Sequence, residues 1–278
     1  MNVRKFIHQL PIMIIVTGLN FGNPVFATES DIAKEARWAD QIVDSLLDGD
    51  GIWLDDGNGH EFLGIFTEAE GVEVDEPKQA VILVHGIGAH PDWPEVVSPL
   101  RVGLVTEGWA TLSIQMPILA NGVESEAYIP LFTELADRFD SAISYLNQQG
   151  IHNVSVVAHS MGATMSAHFV AGALARKESR IQSFVAIGMG AGIPKTDNGE
   201  PGIDSLADLK GITIPMFDIF GSEDLTTVLE SAGDRAVAAK SSNDNYTQLV
   251  VIGAEHFFSG YESDLINKIS SWLSSGDI

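Results

Sequence analysis

Six short apolar runs recur along the last two hundred or so residues of the chain, each about as long as a β-strand. They cover residues 80–84, 110–114, 154–157, 184–187, 215–220 and 249–252. Runs that are apolar on both faces are typical of strands buried in a parallel sheet. Helical periodicity fills most of the gaps, over residues 96–107, 131–149, 161–177, 225–239 and 263–274. This alternation predicts an α/β fold, with a mostly parallel central sheet and helices on both faces.

The region before these runs has a different pattern. Apolar residues at roughly helical spacing predict an amphipathic helix over residues 31–47, with Ser30 or Asp31 able to cap its start. Two apolar runs, 52–54 and 62–66, flank the sequence Asp56-Gly57-Asn58-Gly59, which is typical of a β-hairpin turn. We therefore expect an antiparallel hairpin beside the parallel strands, and one domain over residues 28–278.

The first 27 residues have the pattern of a secretory signal peptide. Arg4 and Lys5 precede an apolar stretch over 10–19, and Val25-Phe26-Ala27 supplies small residues at a cleavage site. The apolar stretch is too short to span a bilayer comfortably, and no later stretch approaches transmembrane length. The sequence predicts an exported bacterial protein, either periplasmic or secreted, with no membrane span after the signal is removed.

Composition narrows the classes of function. The 278 residues are 45% hydrophobic and carry a net charge of −23, which disfavours nucleic acid or an anionic membrane surface as a partner. The chain has no cysteine, so disulfides, thiolate metal sites and a cysteine nucleophile are excluded. It also lacks the motifs of zinc peptidases and of nucleotide-binding loops. We expect no metal and no cofactor, and the sequence does not define an oligomeric state.

The strongest chemical signal is Val156-Val157-Ala158-His159-Ser160-Met161-Gly162-Ala163. An apolar strand runs into a sharp turn that carries Ser160, and a helix follows at once. This is the arrangement of a nucleophile elbow, whose neighbouring positions must be small because the backbones approach closely. The first small position holds Ala158 where glycine is usual, which adds a single methyl group. Ser160 is the predicted nucleophile.

A serine hydroxyl needs a base to accept its proton, and the base is expected to follow the serine along the chain. Only His168 and His256 lie downstream of Ser160. His168 falls about two turns along the helix that starts at Ser160, so it cannot fold back to the serine. His256 follows the last apolar run, where a loop can aim it over the sheet edge. His256 is the predicted base.

The acid is expected between the serine and the base, after the penultimate strand. Asp218 falls inside the predicted strand and would point to one of its faces, whereas Glu223 and Asp224 follow the strand's end. We favour Asp224 as the group that fixes the tautomer of His256 and stabilises its imidazolium form. Glu223 remains the main alternative, and Asp234 a more distant one.

An acyl-transfer site also needs donors for the oxyanion of the tetrahedral intermediate. One is predicted to be the backbone N–H of Met161, directly after the nucleophile. The other is predicted to be the backbone N–H of Ile87, in the loop His85-Gly86-Ile87-Gly88 that follows the first parallel strand. Glycines in this loop allow the backbone to approach a substrate carbonyl.

Taken together, these residues make the chain resemble the α/β-hydrolase superfamily over roughly residues 50–278. The stretch 85–94, followed by Pro99-Leu100-Arg101, Gly108-Trp109 and Met116-Pro117, resembles a narrower family of exported bacterial α/β-hydrolase-like proteins of uncharacterised function. The resemblance implies the Ser160, Asp224 and His256 assignment but no substrate.

The segment 188–214, where such enzymes often insert a cap, is short, so a minimal cap and an open pocket are expected. Residues 121–128 are a second candidate rim, and His90, Asp92 and Trp93 are candidates for the pocket mouth.

Two functions from different classes fit this sequence. The first is a serine hydrolase, carboxylesterase-like, that cleaves a small-molecule or acyl substrate through an acyl-Ser160 intermediate; a thioesterase or a peptidase would use the same residues. The second is a non-catalytic periplasmic or envelope binding protein on the same scaffold. The complete order of serine, acid and histidine favours the first, because a disused site is free to lose any member.

Overall fold

A computed structural model describes residues 29–72, 78–196, 199 and 201–275. The signal peptide predicted over residues 1–27 lies outside the described residues. Within the described part of the chain, no helix is long and apolar enough to cross a membrane.

Strands and helices alternate over most of the described sequence. The strands are β1 (Asp50–Asp55), β2 (Glu61–Thr67), β3 (Gln79–Val84), β4 (Ala110–Ile114), β5 (Asn153–His159), β6 (Ser183–Ile187), β7 (Gly192–Ile193), β8 (Ile203–Asp204), β9 (Met216–Glu223) and β10 (Tyr246–Glu255). The α-helices are α1 (Ile32–Ser45), α2 (Val97–Gly103), α3 (Leu135–Gln148), α4 (Met161–Ala175), α5 (Ser205–Gly211), α6 (Thr226–Lys240) and α7 (Glu262–Ser275). Two 3-10 segments cover Val105–Glu107 and Ser125–Glu134.

Eight of these strands form one sheet in the order β1-β2-β4-β3-β5-β6-β9-β10. The pairs β1–β2 and β2–β4 are antiparallel, and every other neighbouring pair is parallel. The two-residue strands β7 and β8 pair with each other outside this sheet. The predicted fold class, a mostly parallel sheet with an antiparallel hairpin at the front, is confirmed.

Both faces of the sheet are covered, which explains the continuous apolar runs in the sequence. Ile82 and Val84 of β3 pack on the side of α3, α4, α5 and α6, whereas Val81 and Leu83 pack on the side of α2 and α7. Helix α1 packs against Leu63 and Ile65 of β2. Ile65 of β2 and Leu83 of β3 both pair with Ser113 of β4, so they lie on the same face of the sheet. Helix α1 therefore covers the same face as α2 and α7.

Helix α1 is fixed by polar contacts as well as by its apolar face. Its Glu35 forms a buried ion pair with Arg138 of α3 at 2.9 Å. The ammonium group of Lys34 donates a hydrogen bond to the carbonyl oxygen of Leu119 at 2.8 Å. Asp31, one of the two residues predicted to cap the helix, accepts from the N–H of Lys34 at 2.9 Å. The N-terminal helix is thus an integral part of the described structure.

Three local features differ from the sequence-based expectation. The helix expected over 96–107 is the short α2, which is followed by the separate 3-10 segment Val105–Glu107. The helix expected from residue 131 is α-helical only from Leu135, because residues 131–134 belong to a 3-10 segment that begins at Ser125; Pro130 lies inside this segment, where it has no N–H to donate. Helix α5 was not expected, since its seven residues lie in a segment rich in glycine and proline. Its start is capped by Asp204, whose side chain accepts from the N–H of Ala207 at 3.1 Å.

The parallel strands all point the same way, so their carboxyl ends meet at one edge of the sheet. Residues that directly follow these strands are therefore brought to a common surface even though they are far apart in sequence. They are His85 after β3, Ser160 after β5, Gly188 after β6, Asp224 after β9 and His256 after β10.

Candidate active site

The turn that carries Ser160 has the strained geometry of a nucleophile elbow. Ser160 sits between β5 and α4 with φ 56° and ψ −123°, a region that residues other than glycine rarely adopt. A Cβ on Gly162 would lie 2.3 Å from the carbonyl oxygen of His85, so only glycine fits there. Ala158 is buried within the sheet between β3 and β6, where its methyl group is accommodated. The tight turn thus presents the hydroxyl of Ser160 beyond the end of the strand.

Three side chains form a continuous hydrogen-bonded chain at this edge. The Nε2 atom of His256 lies 2.9 Å from the Oγ atom of Ser160. The Nδ1 atom of the same ring lies 2.6 Å from Oδ1 of Asp224. A carboxylate accepts only, so Nδ1 carries the proton and Nε2 is free to accept the proton of the serine hydroxyl. The structure therefore brings together the three residues predicted from the sequence.

Asp224 is held as an anion despite its buried side chain. Burial opposes ionisation, but the hydrogen bond and charge of His256 outweigh it, with further help from backbone N–H groups. The N–H of Leu225 donates to Oδ1 at 2.7 Å, and that of Gly221 donates to Oδ2 at 3.4 Å. The result is a pKa below the usual value of an aspartate. The carboxylate can thus orient the imidazole and stabilise its protonated form.

Among the alternative acids, none hydrogen-bonds His256. Glu223 is the exposed last residue of β9, one position before the turn. Asp218 lies inside β9, fully buried and paired with Arg235 at 2.9 Å. Asp234 is exposed on α6 at the rim of the cavity described below. Placement at the start of the turn after β9 distinguishes Asp224 from all three.

The predicted oxyanion donors lie beside the serine. Ile87 and Met161 border the same cavity as Ser160. Their backbone N–H groups have no acceptor within the described parts of the chain. Main-chain donors free of other partners, at the start of a helix and in a glycine-containing loop, suit a developing negative charge.

The loop that carries Ile87 is anchored by His85, which is fully buried. Its Nε2 accepts from the N–H of Met116 at 2.9 Å, so its Nδ1 carries the proton and donates to the carbonyl oxygen of Gly86 at 2.8 Å. Burial lowers the pKa of His85 to about 3, which keeps the ring neutral. The histidine that directly follows β3 therefore anchors the loop and does not line the cavity beside Ser160.

A cavity of about 630 Å³ opens at Ser160 and His256. Its apolar lining comes from Ile87, Met161, Ile193, Pro194, Leu225 and Val228. Two carboxylates, Glu230 and Asp234 of α6, stand on one wall, and no lysine or arginine of the described residues lines the cavity. The volume is typical of a small-molecule site.

The two segments predicted to form the rim contribute as expected, but the predicted mouth residues do not. Residues 190–194 of the short cap segment and Ser125 of the second segment line the cavity. His90, Asp92 and Trp93 lie outside that lining. Asp92 instead pairs with Arg101 at 2.7 Å, and the ring of His90 contacts that of Trp93. These three residues stabilise the loop after β3.

A protein-family model described as "Protein of unknown function (DUF3530)" matches residues 27–131 and 124–275. The chain belongs to the DUF3530 family. This agrees with the predicted resemblance to a narrower family of uncharacterised function. A search of curated protein sequences finds no match for this family member.

Solved structures confirm the α/β-hydrolase fold of this DUF3530 protein. An esterase from Pyrococcus furiosus superposes with a TM-score of 0.63 at 16% identity, covering 84% of this chain and 94% of that one. A dienelactone hydrolase from Anabaena variabilis gives 0.60 at 19% identity, covering 81% and 95%. An α/β serine hydrolase homologue from Coxiella burnetii gives 0.59 at 14% identity, covering 82% and 99%. At these identities the likeness shows the fold alone.

Sequence reasoning missed Gly188, which sits directly against the base and acid. It has φ 58°, and a Cβ there would lie 3.0 Å from the ring of His256 and 3.3 Å from Oδ2 of Asp224. A glycine right after a buried strand was the available signal, since close backbone approach requires it. Sequence reasoning also gave no role to His159, whose contacts are described further below.

Two fully buried histidines make the stability of this DUF3530 protein depend on pH. Burial lowers the pKa of His85 to about 3, and burial together with the nearby His256 lowers that of His159 to about 4. The unfolded chain binds a proton at each near pH 6.5, whereas the folded chain does not until the pH falls to these lower values. The folded state is therefore penalised progressively as the pH drops below about 6.5.

We expect the free energy of unfolding, measured with urea at closely spaced pH values, to fall between pH 6.5 and 4.5. The slope should approach about 2.7 kcal/mol per pH unit for two histidines, each contributing one proton. Carboxyl groups with a lowered pKa, such as that of Asp224, lower the free energy of unfolding further, mainly below about pH 4.5. A free energy of unfolding that stays constant or rises between pH 6.5 and 5 would contradict the neutral, buried state of these rings.

Proposed function

We propose that this protein is a serine hydrolase, esterase-like, that cleaves a carboxylic ester or a related acyl bond through an acyl-Ser160 intermediate. The observation that carries the proposal is the unbroken hydrogen-bond chain from Ser160 through His256 to Asp224, with distances of 2.9 and 2.6 Å. Such a chain activates a serine for nucleophilic attack, and it opens here onto a cavity large enough for a substrate.

The acylation step follows from the protonation states of Ser160, His256 and Asp224. As Oγ of Ser160 attacks the substrate carbonyl carbon, its proton passes to Nε2 of His256, and Asp224 stabilises the resulting imidazolium. The carbonyl oxygen becomes an oxyanion that the N–H groups of Ile87 and Met161 stabilise. His256 then donates the proton to the leaving alcohol as the carbon–oxygen bond breaks, which leaves an ester on Ser160.

Deacylation reverses these roles with water as the nucleophile. His256 accepts a proton from the water as it attacks the acyl carbon, and a second tetrahedral intermediate uses the same backbone donors. When this intermediate collapses, His256 returns the proton to Oγ of Ser160 and the carboxylic acid leaves. The open cavity lets water reach the acyl carbon without movement of a large lid.

The lining of the cavity favours a neutral or cationic substrate of modest size. Apolar side chains such as Ile193, Pro194 and Val228 suit an acyl chain of a few carbons. The carboxylates of Glu230 and Asp234 repel an anionic group, and no basic side chain of the described residues borders the cavity to offset them. Short, uncharged esters are therefore the first class to test.

The test is hydrolysis of p-nitrophenyl esters of graded acyl length by the purified protein, with the Ser160→Ala variant as the matched control. We expect release of p-nitrophenol well above that of the control, greatest for short acyl chains. Since alanine removes only the hydroxyl, the fold of the control is retained and can be checked by circular dichroism. If the wild-type protein and the control hydrolyse every ester at the same rate, the chain is instead a non-catalytic binding protein on this scaffold.

A further inference from the structure

His159, the residue before Ser160, is buried and has no role in the steps above. It is 3% exposed, and it ends β5 with its ring directed toward the loop that follows β10. Its Nε2 lies 2.9 Å from the carbonyl oxygen of His256. A carbonyl oxygen accepts only, so Nε2 carries the proton and donates this hydrogen bond. The strand that carries the nucleophile is thereby tied to the backbone of the base.

The ring of His159 also packs against the residues it holds. Its centroid lies 4.8 Å from that of His256 and 5.8 Å from that of Phe257. On its other side the ring lies close to the loop of residues 85–88, which carries Ile87 and is called the oxyanion loop below. A methyl group added to Gly86 in this loop would lie 3.5 Å from the Nδ1 atom of His159. One neutral side chain therefore touches the three segments that carry the nucleophile, the base and the oxyanion loop.

The other polar contacts of the loop after β10 are local and leave the carbonyl of His256 to His159, while the side chain of Phe258 packs in the apolar core. The side chain of Glu255 accepts from the N–H groups of Phe257 and Ser259, both at 2.9 Å, which shapes the turn itself. These bonds stay within the loop and do not attach it to β5. The hydrogen bond from His159 is the polar contact that joins the base backbone to the nucleophile strand.

We propose that His159 is a positioning residue that holds His256 at hydrogen-bonding distance from Ser160 through its bond to the carbonyl of His256. The inference rests on the proposed hydrolase function and deepens it. Loss of the donor should let the base loop shift relative to the serine. Because a misplacement of about 1 Å at a reacting group costs on the order of 10²-fold in rate, the chemical step should suffer and substrate binding should not.

The charge state of His159 suits this position. Burial and the nearby His256 lower its pKa to about 4, against the opposing influences of the backbone bond, Asp224 and Glu255. The ring is therefore neutral near pH 7. When His256 takes the serine proton, its imidazolium does not face a second positive charge 4.8 Å away.

The test compares His159→Phe with His159→Gln. Phenylalanine keeps an aromatic ring but has no N–H donor, whereas glutamine places an uncharged amide N–H close to the position of the histidine Nε2. We expect His159→Phe to lower kcat on a short p-nitrophenyl ester by about 10- to 100-fold with KM within about threefold. His159→Gln should recover most of the loss. The rate of Ser160 phosphonylation by a fluorophosphonate should follow kcat in each variant.

The outcomes separate this inference from the proposed function. Wild-type activity together with an equally active His159→Phe would overturn the positioning role alone. An equal loss of kcat in both variants, in proportion to the fall of their melting temperatures, would also overturn it. That result would mean that His159 contributes packing and no positioning hydrogen bond. If His159→Phe does not fold, His159→Met replaces it, since methionine fills the space flexibly without a donor. A folded wild-type protein that neither hydrolyses esters nor reacts at Ser160 would overturn the hydrolase function itself, and this role with it.

Discussion

Replacing His256 with alanine is expected to lower kcat/KM for ester hydrolysis by about 10⁴- to 10⁶-fold, or to the limit of detection. The ring is the only group that hydrogen-bonds both Oγ of Ser160 and the carboxylate of Asp224 within the described chain. Without it the serine hydroxyl has no base and the leaving group has no acid. Steady-state kinetics on the best ester of the graded series measures the effect.

The matched control for this variant is His168→Ala. His168 is the other histidine downstream of the serine, and it stands on the surface of α4, where it pairs with Asp208 at 3.1 Å. Its replacement should leave kcat/KM within about twofold, because surface substitutions away from the site change little. If the two alanine variants lose activity to the same extent, His256 is not the base.

Replacing Asp224 with asparagine is expected to lower kcat by about 10⁴-fold while the protein stays folded. The amide is nearly the same size as the carboxylate but carries no negative charge. With its carbonyl oxygen toward Nδ1 it still accepts from His256 and Leu225, but it leaves the imidazolium of His256 without a counter-charge. With its N–H toward Nδ1 it stabilises the tautomer whose proton sits on Nε2, so that the ring cannot accept the serine proton. In either orientation catalysis is lost although the atoms of the site remain in place. Kinetics at pH 7 together with a thermal melt distinguish this from unfolding.

Two further variants decide which carboxylate is the acid. Glu223→Gln and Asp234→Asn each change one exposed carboxylate that has no hydrogen bond to His256. Both should keep kcat within a fewfold of the wild-type value. A loss of about 10⁴-fold in Glu223→Gln, with Asp224→Asn nearly unaffected, would show that the acid is Glu223 and that the side chain of Asp224 serves only its local backbone bonds.

Much of the fold could be predicted because buried parallel strands leave a simple pattern in the sequence. All six apolar runs are strands of the main sheet, and the Asp-Gly-Asn-Gly turn joins β1 to β2 as expected. The short elements β7, β8 and α5 were missed, since strands of two residues carry no periodicity and α5 lies in a segment rich in glycine and proline. Their stability depends on tertiary contacts that the sequence pattern does not reveal.

The candidate site was partly predictable for a similar reason. Ser160, Asp224 and His256 each follow a strand, and parallel strands bring their carboxyl ends to one edge. The structure places them within hydrogen-bonding distance of one another, and their catalytic role remains a prediction. The tie between His159 and the carbonyl of His256 joins residues 97 positions apart. No local pattern signals such a bond, because it depends on how the end of β5 and the loop after β10 come together.

The structure also explains why small residues surround this site. Gly162 passes so close to the carbonyl of His85, and Gly188 so close to His256, that a methyl group at either position would displace a site residue. The usual glycine of the elbow is less necessary at residue 158, since the neighbouring strands leave room for the methyl group of Ala158. The departure from the usual motif therefore leaves the geometry of the serine turn intact.

The most direct test of the central claim, an activated serine at residue 160, is reaction of the purified protein with a fluorophosphonate probe. The adduct is located by peptide mass spectrometry, and the Ser160→Ala variant serves as the control. We predict a single adduct on the peptide that contains Ser160, absent from the control and from protein unfolded before addition of the probe. A folded protein that stays unlabelled, or that is labelled at another serine with Ser160 free, would contradict the account.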